Sequence, residues 1–193
     1  MAERRFWTKP RVLYFSILVL LVGLLACGYL CFLRPVTTVI LVRHAEKNIE
    51  PNNSNPTLTA AGQARAQKLV RILGEASVTR IYATQYLRTQ YTVQPLAARL
   101  GLQVNLVDAN SAPEVVRQIN SDHAGGVVFV AGHNNTVPAI IAGLGGGNYP
   151  IIPESEYDNM FIVTVYRFRK AKVVKLKYGS PIPATGNQQM MKQ

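Results

Sequence analysis

The sequence predicts an α/β protein: a three-layer αβα domain with an open, mostly parallel sheet, preceded by one N-terminal transmembrane helix. Three observations carry that prediction. Short β-branched apolar runs alternate with amphipathic stretches of helical period along residues 36–144. Two of those runs, 36–42 (VTTVILV) and 127–131 (VVFVA), contain no charge and read as strands buried on both faces. Residues 12–33 are 22 consecutive uncharged, mainly apolar residues.

The elements follow in order. As a helix, 12–33 spans roughly 33 Å, enough for a hydrocarbon core of about 30 Å, and its sequence is apolar all round rather than striped. Arg34-Pro35 ends it, because proline disfavours helical geometry in the residue before it. After strand 36–42, residues 43–57 are polar and read as a loop. Thr59 is a candidate cap for a helix to about Ala76, with Ala66, Leu69, Leu73 and Ala76 on one face and Lys68, Arg71 and Glu75 on the other. Residues 78–83 are a second strand, and 87–100 a second helix closed by Gly101 and interrupted by Pro95. A strand at 102–107, a short helix at 113–121, strand 127–131 and a helix at 136–144 stopped by Gly145-Gly146-Gly147 come next. Residues 161–168 and 173–178 read as an edge hairpin. The domain therefore runs from 36 to 178, between a basic N-terminus (1–11) with its apolar segment (12–33) and a flexible polar tail (179–193).

Charge sharpens the class. The chain carries 21 Lys+Arg against 10 Asp+Glu, a net +11. The excess lies at the ends: +4 over residues 1–34, +7 over 167–193 and zero between. With no aromatic-basic interleaving and no recognition motif, a nucleic-acid partner is excluded. Arg4, Arg5, Lys9 and Arg11 precede the apolar run, and only Arg34 follows it closely. The positive-inside rule keeps the N-terminus cytoplasmic and sends the domain across the bacterial inner membrane into the periplasm, as a single-pass protein. An uncleaved anchor is the preferred reading. Leu24-Leu25-Ala26-Cys27 offers the alternative of a lipoprotein signal, against which stand the bulk of Leu25 and the apolar continuation to Leu33. For the basic C-terminal hairpin two readings stand: lysines guarding a sheet edge, or contact with anionic headgroups.

In open α/β sheets ligands bind at the carboxyl ends of the strands. His44 follows strand 36–42 and His133 follows strand 127–131; Arg43 precedes His44, and Arg88 opens the helix after the second strand. Two guanidiniums and two imidazoles around one point make an anion site, since arginine forks match phosphate oxygens bidentately. His123, before Ala124-Gly125-Gly126, is read as a turn residue. No cysteine lies in the domain and no histidine pair has i, i+4 spacing, so no metal site and no cofactor are expected.

These residues resemble the histidine phosphatase (phosphoglycerate mutase-like) superfamily, and the chain looks like a small membrane-anchored bacterial member. The matching segments are Leu41-Val42-Arg43-His44-Ala45-Glu46-Lys47, Leu58-Thr59-Ala60-Ala61-Gly62, Tyr82-Ala83-Thr84 with Arg88-Thr89, and Ala131-Gly132-His133-Asn134. The resemblance implies metal-independent phosphate-monoester hydrolysis through a phosphohistidine on His44. In it Arg43, Arg88 and His133 hold the phosphoryl oxygens, Asn134 is a further donor, and Asp108 stands at the position of the family's general acid. Glu46 is implied to orient its neighbours. Short loops predict an open cleft and hydrolysis rather than mutase action. The expected partners are the membrane, through 12–33, and a phosphorylated small molecule or envelope component, such as a sugar phosphate of lipopolysaccharide-core type. Alternatives are a cytoplasm-facing phosphohistidine protein phosphatase and a non-catalytic phosphate-binding or scaffold module.

Overall fold

A computed structural model describes residues 9–33, 35–122, 125–167 and 169–181. Helix α1 (Lys9–Leu33) is followed by β1 (Pro35–Arg43), α2 (Ala60–Leu73), β2 (Val78–Thr84), α3 (Leu87–Leu100), β3 (Val104–Val107), α4 (Ala112–Asp122), β4 (Val127–Gly132), α5 (Thr136–Gly143), β5 (Asn159–Tyr166) and β6 (Lys172–Lys177). The six strands form one sheet in the order β3-β2-β4-β1-β5-β6. Strands β3, β2, β4 and β1 are parallel; β5 is antiparallel to β1, and β6 to β5. The expected hairpin is thus the antiparallel edge of an otherwise parallel sheet.

Side-chain alternation along β1 builds the three layers. Val39 and Leu41 enter a core with Val115 and Ile119 of α4 and Val137, Ile140 and Ile141 of α5. Ile40 and Val42 enter the opposite core, with Leu69 and Leu73 of α2 and Val93, Leu96 and Ala97 of α3. Each fully buried aliphatic side chain of this kind contributes about 1.5–3 kcal/mol.

Three expectations shift in detail. Helix α2 stops at Leu73 rather than Ala76, because Gly74 closes it and Ser77 takes a positive φ of 53° to turn the chain into β2. Helix α3 runs through Pro95 without a break, Gly101 closing it in the left-handed conformation at φ 66°. The tail expected to be free from residue 179 begins fastened, since the Ser180 carbonyl accepts from Arg65 Nη2. Residues 182–193, residues 1–8 and His123 lie outside the described residues.

Arg65 holds the two ends of the domain together. It sits on the buried side of α2, with Nε and Nη2 on the Glu46 carboxylate at 2.7–3.0 Å and Nη1 on the Tyr178 carbonyl at 2.8 Å. Gly62 lets α2 approach this loop: a Cβ there would lie 2.2 Å from the Glu46 carbonyl oxygen. Removing one partner of a buried pair strands the other, so Arg65→Ala is expected to cost about 3–5 kcal/mol in urea unfolding. Glu46→Gln, which keeps a hydrogen-bonding acceptor, is expected to cost less.

None of the described side chains of α1 enters either core. Over Val12–Leu30 its mean hydropathy is 2.4 and none of it is buried, and by length and composition it is able to cross a membrane.

Candidate active site

The register of two neighbouring strands brings the histidines together. Arg43 pairs with Gly132 across β1 and β4, and the His44 backbone N–H donates to the Gly132 carbonyl at 2.9 Å. Each histidine is therefore one residue past a paired strand end, with ring centroids 5.5 Å apart. Gly132 is required by the close start of α5, since a Cβ there would lie 2.7 Å from Thr136 Oγ1. That hydroxyl in turn accepts from the His133 backbone N–H at 2.7 Å.

Both rings are buried and oriented. His44 Nδ1–H donates to its neighbour's carbonyl, Ala45 O, at 2.8 Å, which leaves Nε2 as a bare lone pair in the neutral ring. The Ala45 N–H donates to Thr92 Oγ1, whose own proton goes to the Arg88 carbonyl at 2.7 Å. The start of α3 and the His44 backbone are thereby fixed to each other. His133 Nε2 lies 3.0 Å from Thr84 Oγ1, which pairs with Thr89 Oγ1 at 2.8 Å.

The arginines complete a cationic ring. Arg43 is 1% exposed, and its Nη1 donates to the carbonyls of Pro153 and Glu154, both at 2.8 Å. Its Nη2 meets the Glu154 carboxylate, and its guanidinium lies 4.4 Å from the Tyr157 ring centroid. Arg88 lies 4.3 Å from the Tyr86 ring centroid. Tyr157 also approaches His44, and Tyr86 approaches His133, so each Arg–His pair has one aromatic wall. The Nε atoms of Arg43 and Arg88 are both buried and without an acceptor. A buried donor left unpaired costs about 1–3 kcal/mol, so an acceptor brought to either guanidinium is favoured.

Burial sets the protonation state. Desolvation, with the charges of Arg43 and Arg88 adding to it, pushes His44 down to about 3 and His133 down to about 4. In the unfolded chain both titrate near 6.5. Between about pH 6.5 and 4 the unfolded state therefore binds more protons, and stability falls as the pH drops through that window. Each tenfold loss of proton affinity corresponds to about 1.4 kcal/mol, so the pair together accounts for several kcal/mol. The urea midpoint is expected to be clearly lower at pH 4.5 than at pH 7.5, with His44→Asn and His133→Asn each flattening the slope.

The remaining candidates are placed differently. Asn134 donates through Nδ2 to Glu154 Oε1 at 2.7 Å, so its amide is turned to that carboxylate. Asp108 is exposed at the end of β3, where its Oδ1 accepts from the Asn110 N–H at 2.7 Å. No hydrogen bond joins it to the imidazoles or guanidiniums. It borders, with Thr84, Gly132 and Thr136, a cavity of about 10 Å³. Among the described residues no cluster of three or more His, Cys, Asp or Glu side chains is suited to a metal ion.

Sequence reasoning missed Glu154, Tyr157, Tyr86 and Arg65, and quoted Thr84 within a matching segment without giving it a role. Only Arg65 carried a signal: it falls among Gly62, Ala66, Leu69 and Leu73 on the buried stripe of α2, where a charge needs a partner.

The fold and this pair of coupled imidazoles describe a class: an α/β domain whose strand ends present histidine and arginine to one pocket. Over residues 39–109 the sequence matches the model of the histidine phosphatase superfamily (branch 1). Among solved structures it is similar to mycobacterial glucosyl-3-phosphoglycerate phosphatase, at 13% identity and a TM-score of 0.57 over 77% of this chain and 100% of that one. It is similar to the protein histidine phosphatase SixA in complex with tungstate, at 17% identity and 0.58 over 72% and 96%. A third likeness is to a mycobacterial hydrolase, at 13% and 0.58 over 76% and 100%. These identities speak for the fold alone. No curated protein gives a significant sequence match.

Proposed function

We propose that this chain is a membrane-anchored phosphatase that hydrolyses phosphate monoesters through a phosphohistidine on His44. The observation that carries the reading is the bare Nε2 lone pair of His44, with the His133 ring 5.5 Å away and Arg43 and Arg88 close enough for their charges to act on it. In this mechanism Nε2 attacks phosphorus in line, and the ester P–O bond breaks as the N–P bond forms. Arg43, Arg88 and His133 hold the equatorial oxygens, and the two guanidiniums balance their charge. The leaving oxygen takes a proton, and water then cleaves the N–P bond to release inorganic phosphate and restore neutral His44.

Helix α1 serves as the anchor, with the N-terminus cytoplasmic and the domain periplasmic, and the substrate is a phosphorylated envelope molecule of sugar-phosphate type. The support is its apolar length, its basic N-terminal flank and the site's need for a phosphoryl anion. A second reading, a cytoplasm-facing phosphohistidine protein phosphatase, is favoured by the shared fold with SixA. Protease added to spheroplasts separates them, since only a periplasmic domain is cleaved.

The test is phosphate release by the full chain in detergent from sugar phosphates and a phosphohistidine peptide, with acid-stable and acid-labile phosphoenzyme measured after rapid quenching. An acid-labile, base-stable phosphoenzyme is expected. Equal release by the wild type and His44→Ala would overturn the reading.

Asp108 is the proposed proton donor, placed at the cavity edge beside the groups that hold His133. Glu154 is the competing carboxylate, but its two oxygens are engaged by Arg43 and Asn134. Asp108→Asn is expected to slow alkyl phosphates about 10²-fold, while p-nitrophenyl phosphate, whose leaving group needs no proton, changes little. Glu154→Gln frees Arg43 and Asn134 for the phosphoryl group and is expected to lower the Ki of inorganic phosphate several-fold. The reverse pattern between the two variants would exchange their roles.

A further inference from the structure

Charge is divided along the strand direction of this domain. Around the carboxyl ends of the parallel strands lie Glu46, Glu50, Asp108, Glu154, Glu156 and Asp158, six of the chain's ten acidic residues, together with Arg43, Lys47, Arg65, Arg88 and Lys177, so the charges there nearly cancel. At the opposite end basic residues outnumber the acids Glu75 and Asp122. Arg71 and Arg99 stand in the last turns of α2 and α3, Arg80 near the start of β2, and Arg169, Lys170 and Lys172 at the turn between β5 and β6. All six are exposed, and the one ion pair found among them is the loose contact of Arg99 with Glu75 at 3.8 Å.

The basic end is also where the chain leaves α1. A single residue separates Leu33 from Pro35, and Pro35 pairs with Tyr166, the last residue of β5. The basic turn thus begins beside the end of the apolar helix. Two extended residues span about 7 Å, within the Debye length of about 8 Å at physiological salt.

We propose that this end of the domain docks on the anionic headgroups of the membrane that α1 crosses. The proposal rests on the reading of α1 as an anchor. It divides the basic hairpin in two. Lys177 belongs to the far end, where it pairs with Asp158 at 2.7 Å and Glu156 at 3.2 Å. Edge protection accounts for lysines on β6, but Arg169 and Lys170 lie off that strand and Arg80 is on β2, an interior strand. A planar anionic surface meets all of them together, because they share one end of the sheet. Docked in this way, the strand ends that carry His44 and His133 point away from the bilayer.

The experiment uses the full chain in liposomes of phosphatidylcholine alone or with one third phosphatidylglycerol, and follows amide hydrogen exchange in the β5–β6 turn. Exchange there is expected to slow several-fold only with phosphatidylglycerol, the effect vanishing in molar salt and in the combined variant Arg169→Gln, Lys170→Gln, Lys172→Gln. These side chains are far from the pocket, so phosphate release stays unchanged. If the chain resists alkaline carbonate extraction yet the turn exchanges equally in both lipids, the docking proposal alone fails. If carbonate extracts the chain, the anchor reading fails and docking with it.

Discussion

His44→Ala is expected to lower the rate of phosphate release by at least about 10⁴-fold while leaving a folded protein. In the proposed mechanism the loss is this large because no other group supplies the attacking lone pair. His133, the other imidazole of the pocket, has its Nε2 engaged by Thr84. The fold tolerates the change because the His44 side chain makes one hydrogen bond, to the carbonyl of the next residue. Its backbone N–H, not its ring, closes the contact with Gly132. The variant also deletes a group that is costly to protonate, so it is expected to lose less stability on acidification than the wild type. Phosphate release, phosphoenzyme trapping and urea midpoints at two pH values read these outcomes separately.

Arg43→Ala is expected to damage catalysis and folding together. Removing one of the two guanidiniums from the phosphoryl site is expected to cost about 10²–10³-fold in kcat/KM. The stability cost has a different origin. The Arg43–Glu154 ion pair contributes little of it, because the Glu154 side chain is 71% exposed and water replaces the arginine there. The greater part comes from the carbonyls of Pro153 and Glu154, which the buried Nη1 holds at 2.8 Å. A loss of about 2–4 kcal/mol follows for the alanine variant, and under about 1 kcal/mol for Glu154→Ala. Arg43→Lys keeps the charge but not the fork, and is expected to recover part of the stability and little of the rate. Equal destabilisation by Arg43→Ala and Glu154→Ala would show that the ion pair, not the backbone contacts, secures the loop.

The strand ends were the legible part of this site. Arg43, His44 and His133 follow uncharged β-branched runs, and such runs become neighbouring central strands because both of their faces must be covered. Arg88 was legible for the related reason that a helix start returns to the same edge. Glu154 and Tyr157 were not. They lie on a segment between α5 and β5 without periodicity, and they reach Arg43 across about 110 residues of chain. Nothing local encodes such a contact. The role of Asn134 was drawn from its position beside His133, whereas its amide follows the nearest carboxylate, which the linear sequence hid. Arg65 was visible as a charge on a buried stripe, yet its partner Glu46 was recognisable only from their shared geometry.

The single residue between α1 and β1 has a consequence for how such a protein meets its substrates. A flexible tether of n residues lets a domain wander about 5–6 Å × √n, and here n is one. With α1 in a bilayer, the start of β1 stays within about 7 Å of the end of α1. Encounters then depend on two-dimensional diffusion of the whole protein and on how densely phosphorylated groups populate the layer of space that its opening faces. Lengthening the joint would change that encounter frequency without altering one atom of the pocket.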